Sequence, residues 1–402
     1  MLASPAGRRW FFAALYASEG APMGFIWWAL PTLLARQGVS VAAITAVTAA
    51  ATLPWVLKFL AGPVIDASLA RGGGLRSWIV VSQSAMVCSL AAVAWVDWPN
   101  DLPLLTALLV AHAACAATQD VAIDTLAIRS VPPEELGRVN GAMQAGMLTG
   151  RAVVAAGTVA LASRFGPAAP VLVVSLAILL PMWLVVQAVP RASAVASAPP
   201  TPAAWLAAIS GRGALLAIGV ALMAGAGFEF LGVAIGPLLV QYGASDGQLS
   251  SFFGALAPAG LVAGALASGR VTDRLRPAQG TVTGVLAVAI LAGALGGLLW
   301  LDKMPGVQVL VAWMVLVYVG IGFLTAASYA LFMGLARGEL AATRFSIFMA
   351  MTNACEAGAG FFGGRAEGVI GYGPTVLLLV GISLVAIPLV LHLPVRPDDT
   401  TP

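Results

Sequence analysis

Apolar runs of about 20–25 residues succeed one another along the whole chain, separated by short polar stretches. A run of that length crosses the hydrocarbon of a bilayer as one helix. Within lipid only helices and closed barrels satisfy their own backbone polar groups, and a barrel would show short alternating segments instead. The pattern predicts an all-α polytopic membrane protein with twelve transmembrane helices. They fall at approximately 10–36, 41–64, 76–97, 103–129, 137–162, 168–189, 212–241, 248–269, 279–301, 307–335, 341–366 and 373–393. Between the sixth and seventh lies "PRASAVASAPPTPAAWLAAISGRG", rich in Pro, Ala and Ser. It reads as a linker with a short interfacial helix near Trp205. The expected organisation is an N-terminal six-helix bundle over 1–190, a cytoplasmic linker over 191–211 and a C-terminal six-helix bundle over 212–402.

Composition sharpens this. Hydrophobic residues make up 60% of the 402, and charged residues only 9%. Mean hydropathy is +0.95. A soluble domain carries about 25% charged residues, so a water-exposed surface of ordinary polarity is excluded. The net charge of +3 does not indicate nucleic-acid binding, because the arginines cluster in loops on one side. That side holds Arg8, Arg9, Arg71, Arg76, Arg129, Arg138, Arg191, Arg212, Arg270, Arg274, Arg276, Arg337, Arg344 and Arg396. The other holds Arg36, Arg164, Lys303 and Arg365. The asymmetry places both termini in the cytoplasm and suits a bacterial-type inner membrane. Arg8 and Arg9 read as an anchor for the first span, not as a twin-arginine export signal, since no cleavage site follows. Cys88, Cys115 and Cys355 lie inside apolar segments, and His112 and His392 are isolated, so no metal site is expected.

The two halves echo each other. "GPVID" (Gly62–Asp66) follows the second span and "GRVTDR" (Gly269–Arg274) the eighth. "LAIRSVPPEELGR" (Leu126–Arg138) corresponds to "LARGELAATR" (Leu335–Arg344), and "PTLLARQG" to "PLLVQYG". Repeats of this kind mark secondary transporters, whose substrate sites lie near mid-bilayer at the repeat interface. With its twelve spans, central linker and paired G-x-x-x-D loops, the chain resembles the major facilitator superfamily. More narrowly, "LPWVLKFLAGPVID" and "ATQDVAIDTLAIR" resemble the muropeptide permease and acetyl-CoA transporter branch, with pyochelin-type siderophore permeases close in character. The likeness is sharpest over residues 20–150. With no spans beyond the twelve, the siderophore-permease character fits better than that of the longer muropeptide permeases. In the superfamily the loop acid of each half latches the cytoplasmic gate, which the resemblance assigns here to Gly62 and Asp66 and to Gly269, Asp273 and Arg274. The spacing in "DASLARGGGLR" departs from the family form, so Arg71 fits the basic part only loosely.

A charged side chain at mid-bilayer costs about 2.5–3.5 kcal/mol on insertion scales, so it faces a cavity or a partner. The embedded set is Glu19, Lys58, Asp120, Asp124, Arg151, Glu229 and Glu356. Glu229 sits in "GAGFEFLG" between Phe228 and Phe230. That apolar setting disfavours an anion, which makes Glu229 the leading proton-carrier candidate, with an arginine-paired structural carboxyl as the alternative. Glu19, Glu356 and Asp120 are further proton-coupling candidates. Lys58 and Arg151 suit an anionic substrate, or neutralise neighbours: Lys58 with Asp120 or Glu19, Arg151 with Glu356 or Glu229. Asp120 and Asp124 share one face of the fourth span through their i,i+4 spacing. Asp120 is expected to face Lys58 and the cavity. Asp124, about 7 Å of helix rise from Arg129, is expected to pair with a loop arginine at the cytoplasmic gate, where Arg138 and Arg344 also lie. The alternative is a structural pairing for both aspartates. Gln119, Asn353, Tyr329, Trp27 and Trp28 are candidate substrate contacts, the tryptophans reading equally well as an aromatic belt.

Together these point to a secondary transporter, with proton-coupled import of a bulky organic anion by alternating access. A drug or metabolite efflux pump of the same fold is the first alternative. A membrane-embedded transferase needs a convergent catalytic set that two scattered histidines do not supply. No P-loop pattern is present. The expected partners are a small anionic solute and the lipid bilayer, with no nucleic acid and no cofactor beyond a proton gradient. A monomer is expected.

Overall fold

The computed structural model describes residues 2–39, 41–165, 168–191, 200–272, 274–304 and 306–394, and every regular element in them is helical. The first expected span is α1 (Pro5–Met23), a π-helical turn (Gly24–Ala29) and α2 (Leu30–Arg36). The second is α3 (Val41–Val56), a 3-10 turn (Lys58–Leu60) and α4 (Ala61–Ala70). The next four are α5 (Leu75–Val93), α6 (Leu102–Ser130), α7 (Leu136–Phe165) and α8 (Ala168–Ala188). A short helix, α9 (Pro202–Ser210), lies in the linker. The seventh span divides into α10 (Arg212–Met223) and α11 (Ala226–Gln241). The eighth is α12 (Asp246–Ser251), a second π-helical turn (Phe252–Leu256) and α13 (Ala257–Thr272). The last four are α14 (Pro277–Trp300), α15 (Val307–Leu335), α16 (Ala341–Ile370) and α17 (Tyr372–Leu391).

Local chemistry accounts for the ends. Ser4 caps α1 by accepting from the Gly7 amide, with Pro5 in the first turn where its missing N–H costs nothing. Asp101 and Pro103 do the same for α6. Both π-helical turns share a span with a proline, Pro22 or Pro258, whose absent donor disturbs the regular ladder.

Among the described residues, nine helical stretches are long and apolar enough to cross a membrane. Expected spans one, five and eleven fall outside that set, and each carries an embedded charge: Glu19, Arg151 or Glu356.

By spatial contact the chain divides into two units. The first comprises Met1–Val131, Ala142–Trp205 and Arg337–Ser346. The second comprises Pro132–Gly141, Leu206–Ala336 and Ile347–Pro402. The main division, at Trp205/Leu206, falls inside the linker named from composition. Two ten-residue segments, one before each long α7 or α16 body, are grouped with the opposite half of the sequence.

In the first unit α5 packs on α6 and α8, and α3 on α6. Its core gathers Phe25, Ile26, Leu30, Met86, Leu90, Leu105, Leu109 and Ile178. Helices α1 and α7 approach at backbone distance. A Cβ on Gly20 would lie 2.0 Å from the Met147 carbonyl oxygen, and one on Gly146 would lie 2.2 Å from that of Ala13. In the second unit α13 packs on α15, and α14 on both α15 and α17. Phe230, Ile235, Phe252, Leu295, Met314 and Val317 form its core.

Candidate functional site

The first unit holds a buried charge cluster. Lys58 sits where the second span breaks, four residues after Pro54 and two beyond the end of α3. The break turns its side chain inward, where it is 6% exposed. Its Nζ donates to Asp120 Oδ2 at 2.8 Å. The Trp55 ring lies 5.7 Å from the same ammonium. From α1, the buried Glu19 carboxyl lies close enough to Asp120 to interact electrostatically. One turn along α6, Asp124 accepts a hydrogen bond from the Tyr16 hydroxyl. Tyr16, Glu19, Asp120 and Asp124 are all buried. Tyr16 and Glu19 are three apart on α1, so they share the face that meets Asp120 and Asp124.

Charge counting within this cluster is informative. One ammonium balances one carboxylate, yet three carboxyls surround it. Like charges at close range in a desolvated site cannot all ionise.

Asp124 therefore has a different partner from the loop arginine expected of it. Arg129 lies five residues on, rotated by about 140° around the helix, and is exposed. Arg129 instead lies close enough to Asp66 to interact electrostatically, and lines an open cavity of 440 Å³ with Ile128, Arg337, Gly338 and Glu339.

The loop acid Asp66 is 1% exposed. It accepts from the Thr343 amide at 2.8 Å, the Ala342 amide at 3.3 Å and the Thr343 hydroxyl at 2.6 Å. It thus caps the N-terminus of α16, where free amides and the helix dipole favour an anion. Gly62, one turn earlier, lets that helix end approach: an added Cβ would lie 2.8 Å from the Ala342 carbonyl oxygen. Its counterpart Gly269 plays the same steric part in the second unit, where a Cβ would lie 3.0 Å from Arg138 Cα at the start of α7. Asp273 lies outside the described residues, as does the Trp28 side chain. Arg344 donates to the Arg337 carbonyl at 3.2 Å; Arg138 and Arg274 are exposed.

In the second unit Glu229 also stands at a helix break. Gly225 caps α11, placing Glu229 in its first turn, and the Gly227 amide donates to Ser383 Oγ at 2.9 Å. Glu229 lines a small cavity of 50 Å³ with Phe228, Thr325, Ser328, Tyr329 and Thr352. Glu356 is close enough to Glu229 to interact electrostatically, and is exposed on α16. Asn353 is half-buried and is not among the residues lining that cavity. In the first unit Arg151 is half-buried, with a guanidinium nitrogen 3.1 Å from the Met23 sulfur. The Trp27 indole donates to Thr52 Oγ1 at 3.1 Å. Gln119 is fully buried, and neither amide atom meets a partner among the described residues.

Sequence reasoning did not single out Tyr16, Gln83 or Thr343. Tyr16 carried a signal, its three-residue offset from Glu19. Thr343 carried none, because it is 277 positions from Asp66.

Carboxyls and a lysine buried together within membrane-spanning helices are the kind of site that solute transporters build. The chain is a member of the Major Facilitator Superfamily, whose family model matches residues 12–364. It is similar to "Uncharacterized protein C21B10.09" of Schizosaccharomyces pombe, 29% identical over 151 residues, covering 35% of this chain and 28% of that protein. It is also similar to "Putative transporter AmpG 4" of Rickettsia felis, 29% identical over 152 residues, covering 37% of this chain and 36% of that protein. The matched stretch thus spans about a third of these relatives' length. Among solved structures, the Escherichia coli fucose:proton symporter FucP matches with a TM-score of 0.74 at 14% identity, over 96% of this chain and 98% of that one. The human organic anion transporter MFSD10 (TETRAN) matches with a TM-score of 0.71 at 14% identity, over 96% and 100%. At such identities the likeness shows the fold.

Proposed function

We propose that this protein is a proton-coupled importer of a bulky organic anion, working by alternating access in a bacterial-type inner membrane. The observation that carries the coupling is the burial of Glu19, Asp120 and Asp124 around the single Lys58 ammonium, which bonds Asp120 at 2.8 Å. A buried cluster with three carboxyls around one cation can take up and release a proton at small cost in charge. Lys58 then serves as the fixed counter-charge, and the number of protons on the surrounding carboxyls sets how tightly it holds Asp120. Protonation weakens that ion pair and biases one conformational state over another.

The anion reading draws on two cations set within the spans, Lys58 and Arg151. The Arg151 side chain is half-buried at the middle of α7. A guanidinium suits carboxylate or phosphate groups through its planar fork of donors. The likeness to AmpG-named putative transporters favours a muropeptide-like solute, and the sequence character favours a siderophore-like one. Two structurally similar proteins are named proton symporters, which supports a proton as the coupling ion.

Uptake into proteoliposomes tests this, using a labelled anhydromuropeptide, a ferric pyochelin-type siderophore and an acyl-CoA thioester under an imposed proton gradient. One of the three accumulates, and a protonophore abolishes accumulation. Glu19→Gln loses uphill uptake but retains exchange of internal for external solute. If Glu19→Gln accumulates solute like the parent while Glu229→Gln does not, coupling belongs to the second unit instead.

A further inference from the structure

Several buried polar atoms of the first unit lack any partner among the described residues. Those on α1, α5 and α6 are His112 Nε2, Gln83 Oε1, both amide atoms of Gln119, and Glu19 Oε2; Trp55 Nε1 on α3 is another. The side chains on α1, α5 and α6 are almost completely enclosed: Gln83 and Gln119 are 0% exposed, His112 1% and Glu19 2%. A buried polar atom without a partner loses its hydration and gains nothing in return, so native proteins satisfy such atoms with each other or with bound water.

Their placement is not random. Helices α5 and α6 are consecutive and antiparallel, and their register is set by His112, whose Nδ1 lies 3.2 Å from both the Met86 carbonyl and Ser89 Oγ. Gln119 follows His112 by seven residues, two helical turns, so it keeps the same α5-facing edge of α6. The rise between them is about 10 Å. Gln83 is one turn before Met86 on α5, which in an antiparallel pair sets it between His112 and Gln119. Its Nε2 lies 3.4 Å from Ser18 Oγ on α1, one residue from Glu19. The unsatisfied atoms of α1, α5 and α6 therefore follow one seam. It runs from His112, nearer the Leu102 end of α6, past Gln83 and Gln119 to the Glu19–Asp120 pair. The other edge of α6 carries Asp120 and Asp124 toward Lys58 and Tyr16.

We propose that this α5–α6 seam holds a file of bound waters between His112 and Gln119, and that the file relays protons to Glu19 beside Asp120. The proposal rests on the coupling role assigned above. The amides of Gln83 and Gln119 orient the waters, and His112 accepts or donates at the entrance. Each water takes a proton on one side and releases one on the other. The net change is one proton moved from bulk hydronium to a carboxylate, with every water restored. The groups facing the inner end of the file are Tyr16 and Glu19 on α1, Lys58 at the second-span break, and Asp120 and Asp124 on α6.

The test uses the full chain in nanodiscs and needs no solute. Infrared absorption of protonated carboxyls is followed in time after a downward pH jump, and the band is assigned by its loss in Glu19→Gln and Asp120→Asn. In the parent the band rises quickly. In Gln83→Leu and Gln119→Leu it reaches the same final amplitude but rises roughly tenfold more slowly or worse. Gln119→Asn, which keeps an amide, recovers most of the rate. A band that rises as fast in both leucine variants overturns the water file and leaves the coupling role standing. A carboxyl band that never titrates overturns both. Thermal midpoints give an independent readout. Where water satisfies the amide, Gln119→Leu leaves the midpoint unchanged or lowers it. A raised midpoint marks an amide that truly lacked a partner, and removes the basis of the proposal.

Discussion

At the scale of single residues, the Lys58–Asp120 pair sets the energetics of the buried cluster. A buried ion pair adds little net stability, because desolvation offsets the attraction. Removing one partner is different, since it strands a charge that water no longer reaches. Lys58→Met is expected to destabilise the protein by about 3–5 kcal/mol. The double variant Lys58→Met/Asp120→Asn regains much of that loss, which a double-mutant cycle on thermal midpoints measures. Additive single losses would show that the 2.8 Å contact carries no coupling. The aspartates also show how far spacing is legible. The i,i+4 offset put Asp120 and Asp124 on one face, and the structure has them there. The partner of Asp124 was not legible, because proximity along the helix axis says nothing about rotation. Arg129 is near in rise but faces away, whereas Tyr16 is 108 positions distant in sequence and in contact.

At the scale of elements, the informative places are where helices fail to continue. Lys58 and Glu229 both stand at breaks within expected spans, after Pro54 and at Gly225. Discontinuous spans frequently frame binding sites in transporters, since irregular backbone is tolerated only where a cavity or polar partner meets it. Continuous apolar runs gave the span positions but hid these interruptions, as a run with one proline reads much like a run without one. Close packing is the second feature at this scale. Helix α1 meets α7 through Gly20, Gly24, Gly146 and Gly150, each with a carbonyl oxygen of the other helix within 2.4 Å of a would-be Cβ. Small residues allow such backbone approach, which drives helix association where lipid supplies no hydrophobic contrast. Gly20→Ala must separate the helices, and it moves Glu19 with them. Gly232→Ala in α11 meets nothing within 4 Å and gains intrinsic helix propensity. Measured side by side in detergent, Gly20→Ala lowers the thermal midpoint markedly while Gly232→Ala leaves it level or slightly raised. Equal midpoints would show that the α1–α7 seam is not a constraint.

At the scale of the whole molecule, the two-part organisation was legible in the internal repeats, and its finer grain was not. Reading along the sequence assigns each residue to the half it occurs in. The contact units instead group Arg337–Ser346 with the first half and Pro132–Gly141 with the second, a symmetric exchange that only three dimensions reveal. Gly62 against α16 and Gly269 against α7 are its steric signature, and both lie in the paired G-x-x-x-D loops. Orientation is a further property of the whole chain, and the loops argue it segment by segment. The connection between α5 and α6, residues 94–101, holds Asp97 and Asp101 but no lysine or arginine. The connection between α4 and α5 carries Arg71, with Arg76 just beyond it, and α6 ends at Arg129. Basic residues near span ends resist translocation, whereas acidic ones contribute little, so the expected orientation has α5 running outward and α6 returning inward. A reporter enzyme active only outside the cytoplasm is therefore expected to work when fused after Asp97 and to fail after Gly72 or Pro133. A fluorescent reporter that matures only in the cytoplasm gives the reverse result. Activity at Gly72, or its absence at Asp97, would invert the orientation and place the Leu102 end of α6 inside.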